Sequence, residues 1–175
     1  MKLKISLILV LIPFTLIGQI RDTKQVKFGF QINQFQDDFG LGIHVISPEF
    51  KNLSISLKAN TNWLQGISPK TENQNWYHYY NGQIAIRYRS PISEKVGIYA
   101  EGGLFVAVPN PDFSDQDFSP GGFGLFGFEF FIGTGKRVPS YFIELGGIGS
   151  GSTAEKLPSK PIYANGFLIA TGFRF

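Results

Sequence analysis

From about residue 25 onward, apolar and polar residues alternate along most of this chain. An alternation with a period of two predicts β-strands that have one apolar and one polar face. Clusters of proline, glycine, asparagine and aspartate interrupt the alternation and divide it into eight segments. The segments are about 25–33, 39–47, 53–63, 78–90, 95–107, 122–132, 140–150 and a terminal strand that ends at Phe175.

The terminal strand is the clearest of the eight. Its apolar face carries two β-sheet-favouring aromatics at the end, Phe173 and Phe175, with Arg174 on the opposite face between them. A soluble protein seldom ends on such a strand, because chain termini usually fray. The last strand of a barrel in a membrane must be ordered, because no sheet edge can be left unpaired in lipid. The pattern therefore predicts a closed membrane barrel.

The polar face of the segments carries their charges. The residues out of phase with the apolar set include Lys58, Arg87, Glu101, Glu129, Glu144 and Arg174, together with His44, Ser54, Ser56, Asn60 and Gln83. A shift of one residue would turn all of them toward lipid. Lys58 and Arg87 alone would then cost ~4–8 kcal/mol, at ~2–4 kcal/mol each near the membrane midplane. The charged face is therefore predicted to line the interior.

The connections between segments are predicted to alternate in length. Those at 48–52, 91–94 and 133–139 are short, whereas those at 64–77, 109–121 and 151–161 are longer. The first connection, 34–38, is a short exception. Short periplasmic turns and long external loops are typical of outer-membrane barrels, and an even number of strands places both termini in the periplasm.

The start of the chain predicts export. Lys2 and Lys4 precede a mostly apolar stretch, 5–17, and Gly18 offers a small residue for cleavage. This pattern predicts a signal peptide over 1–18 and a barrel domain over 19–175. The apolar stretch is too short for a spanning helix, and no later apolar run is long enough for one.

Composition further narrows the possible classes of fold and function. The chain has 21 glycines, 18 phenylalanines and only 17% charged residues, which favours sheet over helix. Its formal charge of +3 includes Lys2 and Lys4, and it shows no lysine and arginine cluster that would indicate nucleic-acid binding. Without cysteine, neither a disulfide nor a thiolate metal site can hold the fold.

The eight segments and the final F-R-F resemble the family of small eight-stranded bacterial outer-membrane barrels, similar to the transmembrane domain of outer-membrane protein A. The resemblance implies an all-β, eight-stranded antiparallel up-and-down transmembrane β-barrel, porin-like in form, in the cell outer membrane of a Gram-negative bacterium. It implies outer-membrane lipid, barrel-assembly machinery and periplasmic chaperones as partners. In this family aromatic residues at the end act as an assembly signal, which Phe173 and Phe175 match. The glycine usual a few positions earlier is Ala170 here, with Gly172 instead.

The charged face is the best candidate site. Pairing the hairpins places Glu101, Glu129 and Glu144 at similar heights on three adjacent strands. Facing them we expect a basic set: Lys58, Arg87 and Arg89, with Lys27 and Arg174 on the first and last strands. Because unpaired buried charge is costly, these groups should pair and fill a narrow interior. A path for protons, cations or small solutes, and acid–base catalysis by the glutamates, are the alternatives.

Other motifs have a simpler interpretation. His78 lies among aromatic residues, and some barrels of this size modify lipid with a serine and a histidine at the rim, but no serine or triad spacing accompanies it. An aromatic girdle position is the simpler prediction for His78, and a hydrogen-bonded interior position for His44. Gly122, Gly124 and Gly127 match a dinucleotide fingerprint but open a strand rather than a helix.

Two loop motifs fit their expected ligands poorly. Gly135-Lys136 lacks the residues that complete a phosphate loop. Asp112, Asp115 and Asp117 make one loop acidic, and weak calcium capture is an alternative to a solvated loop. No catalytic residue, cofactor or metal is predicted.

The sequence thus predicts a non-enzymatic integral membrane protein with a structural role or an unknown extracellular ligand bound through its loops. A narrow pore, a lipid-modifying enzyme and a soluble exported barrel are the alternative hypotheses.

Overall fold

A computed structural model describes residues 25–69, 72–133 and 138–175. The predicted signal peptide lies outside the described residues. Eight strands form one closed antiparallel barrel in which each strand pairs with the next and the last pairs with the first. The strands are β1 (Lys27–Phe35), β2 (Asp38–Ile46), β3 (Leu53–Ile67), β4 (Gln74–Pro91), β5 (Val96–Pro109), β6 (Ser119–Phe131), β7 (Ser140–Gly149) and β8 (Asn165–Arg174). The predicted all-β, eight-stranded up-and-down barrel is confirmed.

The two ends of the barrel differ. Connections 47–52, 92–95 and 132–139 lie at one end, here named the turn end, together with the start of β1 and the end of β8. Connections 36–37, 68–73, 110–118 and 150–164 lie at the other, here named the loop end. The two longest connections, 110–118 and 150–164, are therefore at the loop end, as predicted.

The predicted long loop over 64–77 is wrong. β3 continues to Ile67 and β4 begins at Gln74, so most of this stretch is a paired hairpin. Its inward residues Leu64 and Tyr77 are buried, whereas outward Gln65 and Gln74 are exposed. The polar outward residues resemble a loop in sequence, but contacts made by the inward face extend the strands.

The predicted division of faces is confirmed along the strands. The described members of the polar set, from His44 and Lys58 to Arg174, are buried in the barrel interior. Large apolar side chains such as Phe28, Ile43 and Ile86 are 60%, 65% and 65% exposed on the outside. In the charged part of the interior this arrangement is the reverse of that in a water-soluble globule, in which apolar side chains fill the core. Within the described residues, no helix is long and apolar enough to cross a membrane.

The seam between β1 and β8 closes the barrel. Phe28 and Phe175 exchange backbone hydrogen bonds of 2.8 and 3.2 Å there. Gly172 lets the two backbones approach, since a Cβ at that position would lie 2.0 Å from the carbonyl oxygen of Phe30. The terminal strand is thereby fixed to the first one almost to its last residue.

Candidate functional site

The predicted charge network lies inside the barrel, nearer its turn end. Its five residues come one from each of the consecutive strands β3 to β7, and each is at most 5% exposed. The structure brings all of them together. They are Lys58, Arg87, Glu101, Glu129 and Glu144.

Ion pairs in this network cross the interior. Lys58 Nζ lies 2.8 Å from Glu101 Oε2 and 2.9 Å from Glu144 Oε2, so β3 is linked to both β5 and β7. Arg87 Nη2 lies 2.9 Å from Glu129 Oε2, which links β4 to β6. The Lys58–Glu144 pair therefore links opposite sides of the barrel, whereas the other two pairs link strands that are two apart.

Arg174 extends the network to the closing strand. Its Nη2 donates to Glu144 Oε1 at 2.7 Å, and its Nε donates to His44 Nε2 at 3.1 Å. Lys27, on the other side of the seam, lies 3.4 Å from Glu129. His44 is a hydrogen-bonded interior residue, as the sequence predicts. These contacts link β8 to its neighbour β7 and to β2, and they link β1 to β6.

Tyr99 occupies the centre of the network and was not found from the sequence. The guanidinium groups of Arg87 and Arg174 lie 3.8 and 4.7 Å from its ring centroid. Its hydroxyl donates to Glu144 Oε1 at 2.9 Å and accepts from Arg174 Nη2 at 2.9 Å. The alternation along β5 could have identified it, because Tyr99 lies between outward Ile98 and Ala100 and its side chain must therefore point inward.

The expectation that Arg89 faces the three interior glutamates is wrong. Its Nε lies 2.6 Å from Glu49 Oε1, in the connection between β2 and β3. Arg89 is two residues closer to the turn end than Arg87, so its side chain meets the turn instead of the far wall. Glu49 was missed because it falls in a predicted turn.

A layer of buried amide side chains lies on the loop-end side of the network. Asn60 Oδ1 accepts hydrogen bonds from Gln31 Nε2 at 2.8 Å and from Asn33 Nδ2 at 3.0 Å. Asn62 Nδ2 donates to Asn33 Oδ1 at 2.9 Å. Gln31 Oε1, Asn62 Oδ1 and Asn81 Nδ2 are buried without a hydrogen-bond partner. This amide layer links the inner faces of β1, β3 and β4.

Inward glycines show how closely the interior is filled. A Cβ at Gly127 would lie 2.4 Å from Tyr99 Cζ, and one at Gly42 would lie 1.9 Å from Asn60 Oδ1. Outward Gly124, on the same strand as Gly127, has no atom within 4 Å of such a Cβ. Large polar side chains thus occupy the space over the inward glycines.

Connections 110–118 and 150–164 pack together at the loop end, and we name them the cap. Its buried apolar residues include Phe113, Ala154, Leu157 and Tyr163, which join one apolar cluster with inward residues of β1, β3 and β4. Ring centroids of Phe113 and Tyr163 are 5.3 Å apart, and those of Tyr79 and Tyr163 are 5.5 Å apart. The cap therefore shares a core with the barrel wall.

Polar contacts also join the two connections of the cap. Glu155 Oε1 accepts hydrogen bonds from the Asp115 backbone N–H at 2.5 Å and from Ser114 Oγ at 3.0 Å. The Asp115 N–H, with help from the Ser114 hydroxyl, lowers the pKa of Glu155. Lys156 Nζ lies 2.5 Å from Asp115 Oδ1. Asp115 is thus engaged within the cap.

Aromatic rings form two belts on the outer surface. Toward the turn end, Phe130, Tyr141, Phe173 and Phe30 follow one another across four strands, with successive centroids 6.3, 5.4 and 5.6 Å apart. Phe175 stacks on Phe30 at 6.2 Å. Both residues of the predicted assembly signal therefore lie in this lower belt. An upper belt toward the loop end includes Phe39, Trp63, Trp76 and Tyr80.

The structure places two of the remaining sequence motifs, His78 and the glycines of β6. Exposed His78 packs edge-on to Tyr80 and lies 3.4 Å from the side chain of Asn110. Gly122, Gly124 and Gly127 lie within β6. Gly135-Lys136 lies outside the described residues.

The geometry gives no further support to weak calcium capture by the acidic loop. In the described ranges, no group of three or more histidine, aspartate or glutamate side chains could hold a metal ion. Chemically, the interior can neutralise its own charges and link opposite walls.

No protein-family model matches the chain, and no curated protein is detectably similar to it.

Proposed function

We propose that this protein is an integral β-barrel of a bacterial outer membrane, with a closed interior and a structural or surface-binding role. The observation that carries the proposal is the inverted distribution of side chains. Ionised groups and amides occupy the inside, and phenylalanine, isoleucine and leucine cover the outside. Such an outer surface suits a lipid environment, whereas in water it would be a large aggregation-prone patch.

The two aromatic belts support the same proposal. Aromatic girdles mark the two membrane interfaces of outer-membrane barrels. Tyr80 of the upper belt and Tyr88, nearer the turn end, are both outward residues of β4. At ~3.4 Å per residue and a strand tilt of ~40°, they are separated by ~21 Å along the barrel axis. The aromatic rings at each end extend the outward-facing apolar band toward the height of ~25 Å that is typical of such barrels.

A structural role fits the interior better than conduction does. The crossed ion pairs of Lys58 and Arg87 and the buried ring of Tyr99 occupy the width of the barrel. An eight-stranded barrel has an interior that side chains alone can fill. We therefore propose that the charge network is a polar plug that holds the walls together. Binding at the cell surface would fall to the cap and to the hairpin end near Ile67 and Gln74.

Biogenesis follows from the same proposal. Phe173 and Phe175 would be presented to the barrel-assembly machinery before the seam closes, and periplasmic chaperones would hold the unfolded chain. After assembly the same rings would lie in the lower belt, against lipid. Outer-membrane lipid is then the permanent partner, and the extracellular ligand is unidentified.

Membrane fractionation combined with heat modifiability on a gel tests the proposal. We expect the protein to stay in the membrane pellet after carbonate or urea and to migrate differently before and after boiling. Release by carbonate would favour a soluble exported barrel. Planar-bilayer recording tests the plug separately, since steady single-channel conductance would contradict a closed interior and favour the small pore.

A further inference from the structure

Several contacts join the two connections of the cap to each other. Glu155 joins the two connections through Ser114 and Asp115, and the backbone N–H of Lys156 donates to the Phe113 carbonyl at 3.1 Å. Lys156 Nζ also donates to the Pro111 carbonyl at 2.7 Å. These contacts lie within the cap and need not break for it to separate from the barrel.

The cap is tied to the barrel wall by Asp38. The Asp38 Oδ2 atom accepts a hydrogen bond from the backbone N–H of Ala164 at 2.7 Å and another from the Tyr79 hydroxyl at 2.6 Å. Ala164 is the last residue of the cap, and Asp38 and Tyr79 belong to β2 and β4. A second polar contact joins the Tyr163 hydroxyl to Ser119 at the start of β6.

Asp38 differs from the other buried carboxylates. Glu101, Glu129 and Glu144 each lie within ion-pair distance of a cation. Among the described residues, no cation lies within that distance of Asp38, although the residue is only 1% exposed. Burial of a carboxylate whose donors are all neutral is unfavourable, because the lost hydration is only partly replaced.

The backbone at the same contact is also strained. Ala164 has a φ of 48°, in the left-handed region that residues other than glycine rarely adopt. If the cap lifted, water would hydrate the Asp38 carboxylate and Ala164 could relax. Both unfavourable features of the closed state are therefore at its attachment point.

We propose that the cap is a latched lid over the mouth of the barrel, with the Asp38 carboxylate as the latch. Its hydrogen bonds hold the lid shut, and its uncompensated negative charge keeps the open state accessible. Opening exposes the inward residues that now pack against the cap, among them Leu64 and Tyr79, which lie on the loop-end side of the amide layer. The polar plug below stays in place, so an open lid admits water only to the loop-end mouth of the barrel.

Cysteine labelling tests the lid, because the chain has no cysteine of its own. Ala107 is an inward, fully buried residue of β5 that pairs with Ser119, so Ala107→Cys reports access beneath the cap. A charged maleimide that does not cross membranes is added, and the rate of modification is compared between variants. Exposed Ser159→Cys, on the cap itself, is the matched control and should react at one rate throughout.

The two substitutions at Asp38 should act in opposite directions. Asp38→Ala removes the acceptor and should speed the labelling of Ala107→Cys about tenfold or more. Asp38→Asn keeps an acceptor oxygen but removes the charge, and should slow labelling below the rate of the wild-type latch. Heat-modifiable migration of each variant shows that the barrel itself has assembled.

Two results would overturn the proposal. An unchanged rate in assembled Asp38→Ala would mean that Asp38 does not hold the cap. A labelling rate in Asp38→Asn equal to or above the wild-type rate would mean that the charge of Asp38 does not favour opening. If Asp38→Ala does not assemble, the comparison of Asp38→Asn with the wild type is sufficient to test the proposal. The assay gives the same answer in membranes or in solution, so it is independent of the proposed location.

Discussion

Replacing Lys58 with methionine tests the charge network most sharply. Methionine keeps an unbranched side chain of similar length but leaves Glu101 and Glu144 without the cation that lies 2.8 and 2.9 Å away. Glu144 keeps Arg174 at 2.7 Å, whereas the nearest cation left for Glu101 is Arg87 Nε, at 3.9 Å. Because an uncompensated buried charge is strongly destabilising, we expect Lys58→Met to lower the free energy of unfolding by ~3–5 kcal/mol.

A second substitution separates charge from packing. Glu101→Gln in the Lys58→Met background neutralises the carboxylate that lost its partner. The double variant should therefore lose less stability than the two single variants added together. Lys156→Met is the matched control, since its ion pair with Asp115 is exposed and such pairs contribute ~0–1 kcal/mol.

The assay is equilibrium unfolding in urea from lipid vesicles, followed by tryptophan fluorescence. If Lys58→Met lost no more stability than Lys156→Met, the reasoning would be refuted. Strict additivity between Lys58→Met and Glu101→Gln would equally show that the two groups do not interact in the folded barrel.

Three further predictions concern other parts of the molecule. Gly127→Ala should destabilise the barrel by ~1–3 kcal/mol because its Cβ would lie 2.4 Å from Tyr99, whereas Gly124→Ala, with open space, should be neutral or slightly stabilising in the same urea assay. Because the folded pKa of Glu155 is lowered, its stabilising contribution is present above its unfolded pKa and is lost as pH falls through the folded value. Protease cleavage of the cap should therefore rise with acid more in the native chain than in Glu155→Gln, and equal pH profiles would count against this. Deleting Phe175 should reduce the fraction of protein inserted in the membrane, and wild-type levels of insertion would contradict the assembly-signal role.

The faces of the strands could be predicted because a pleated strand has a strict period of two. Once Leu57 and Ile86 are placed outside, Lys58 and Arg87 must point inside, whatever the details of packing. The meeting of Lys58 with Glu144 was also within reach, since consecutive hairpins in a closed barrel bring opposite walls together. The alternation of side chains and the closure of consecutive hairpins into a barrel are sufficient to predict the inward faces and the meeting of these two residues.

The features that were missed depend on contacts between distant residues. Tyr99 looks like any inward aromatic residue in sequence, and its central place depends on Gly127 leaving space above its ring. The hairpin beyond residue 64 is ordered by the cap, since a Cβ at Gly66 would lie 2.6 Å from Leu157 Cδ1. Asp38 reaches Ala164 across most of the chain, and no local pattern indicates that contact.

The central claim is that the outer surface of the barrel faces lipid. Trp63 and Trp76 are the two tryptophans of the chain, so Trp76→Phe leaves Trp63 as a single probe in the upper belt. Its fluorescence should be measured in vesicles whose acyl chains are brominated at defined depths. We predict strong quenching of Trp63, greatest for bromines nearest the headgroups. Fluorescence unaffected by bromine at every depth would contradict a lipid-facing barrel.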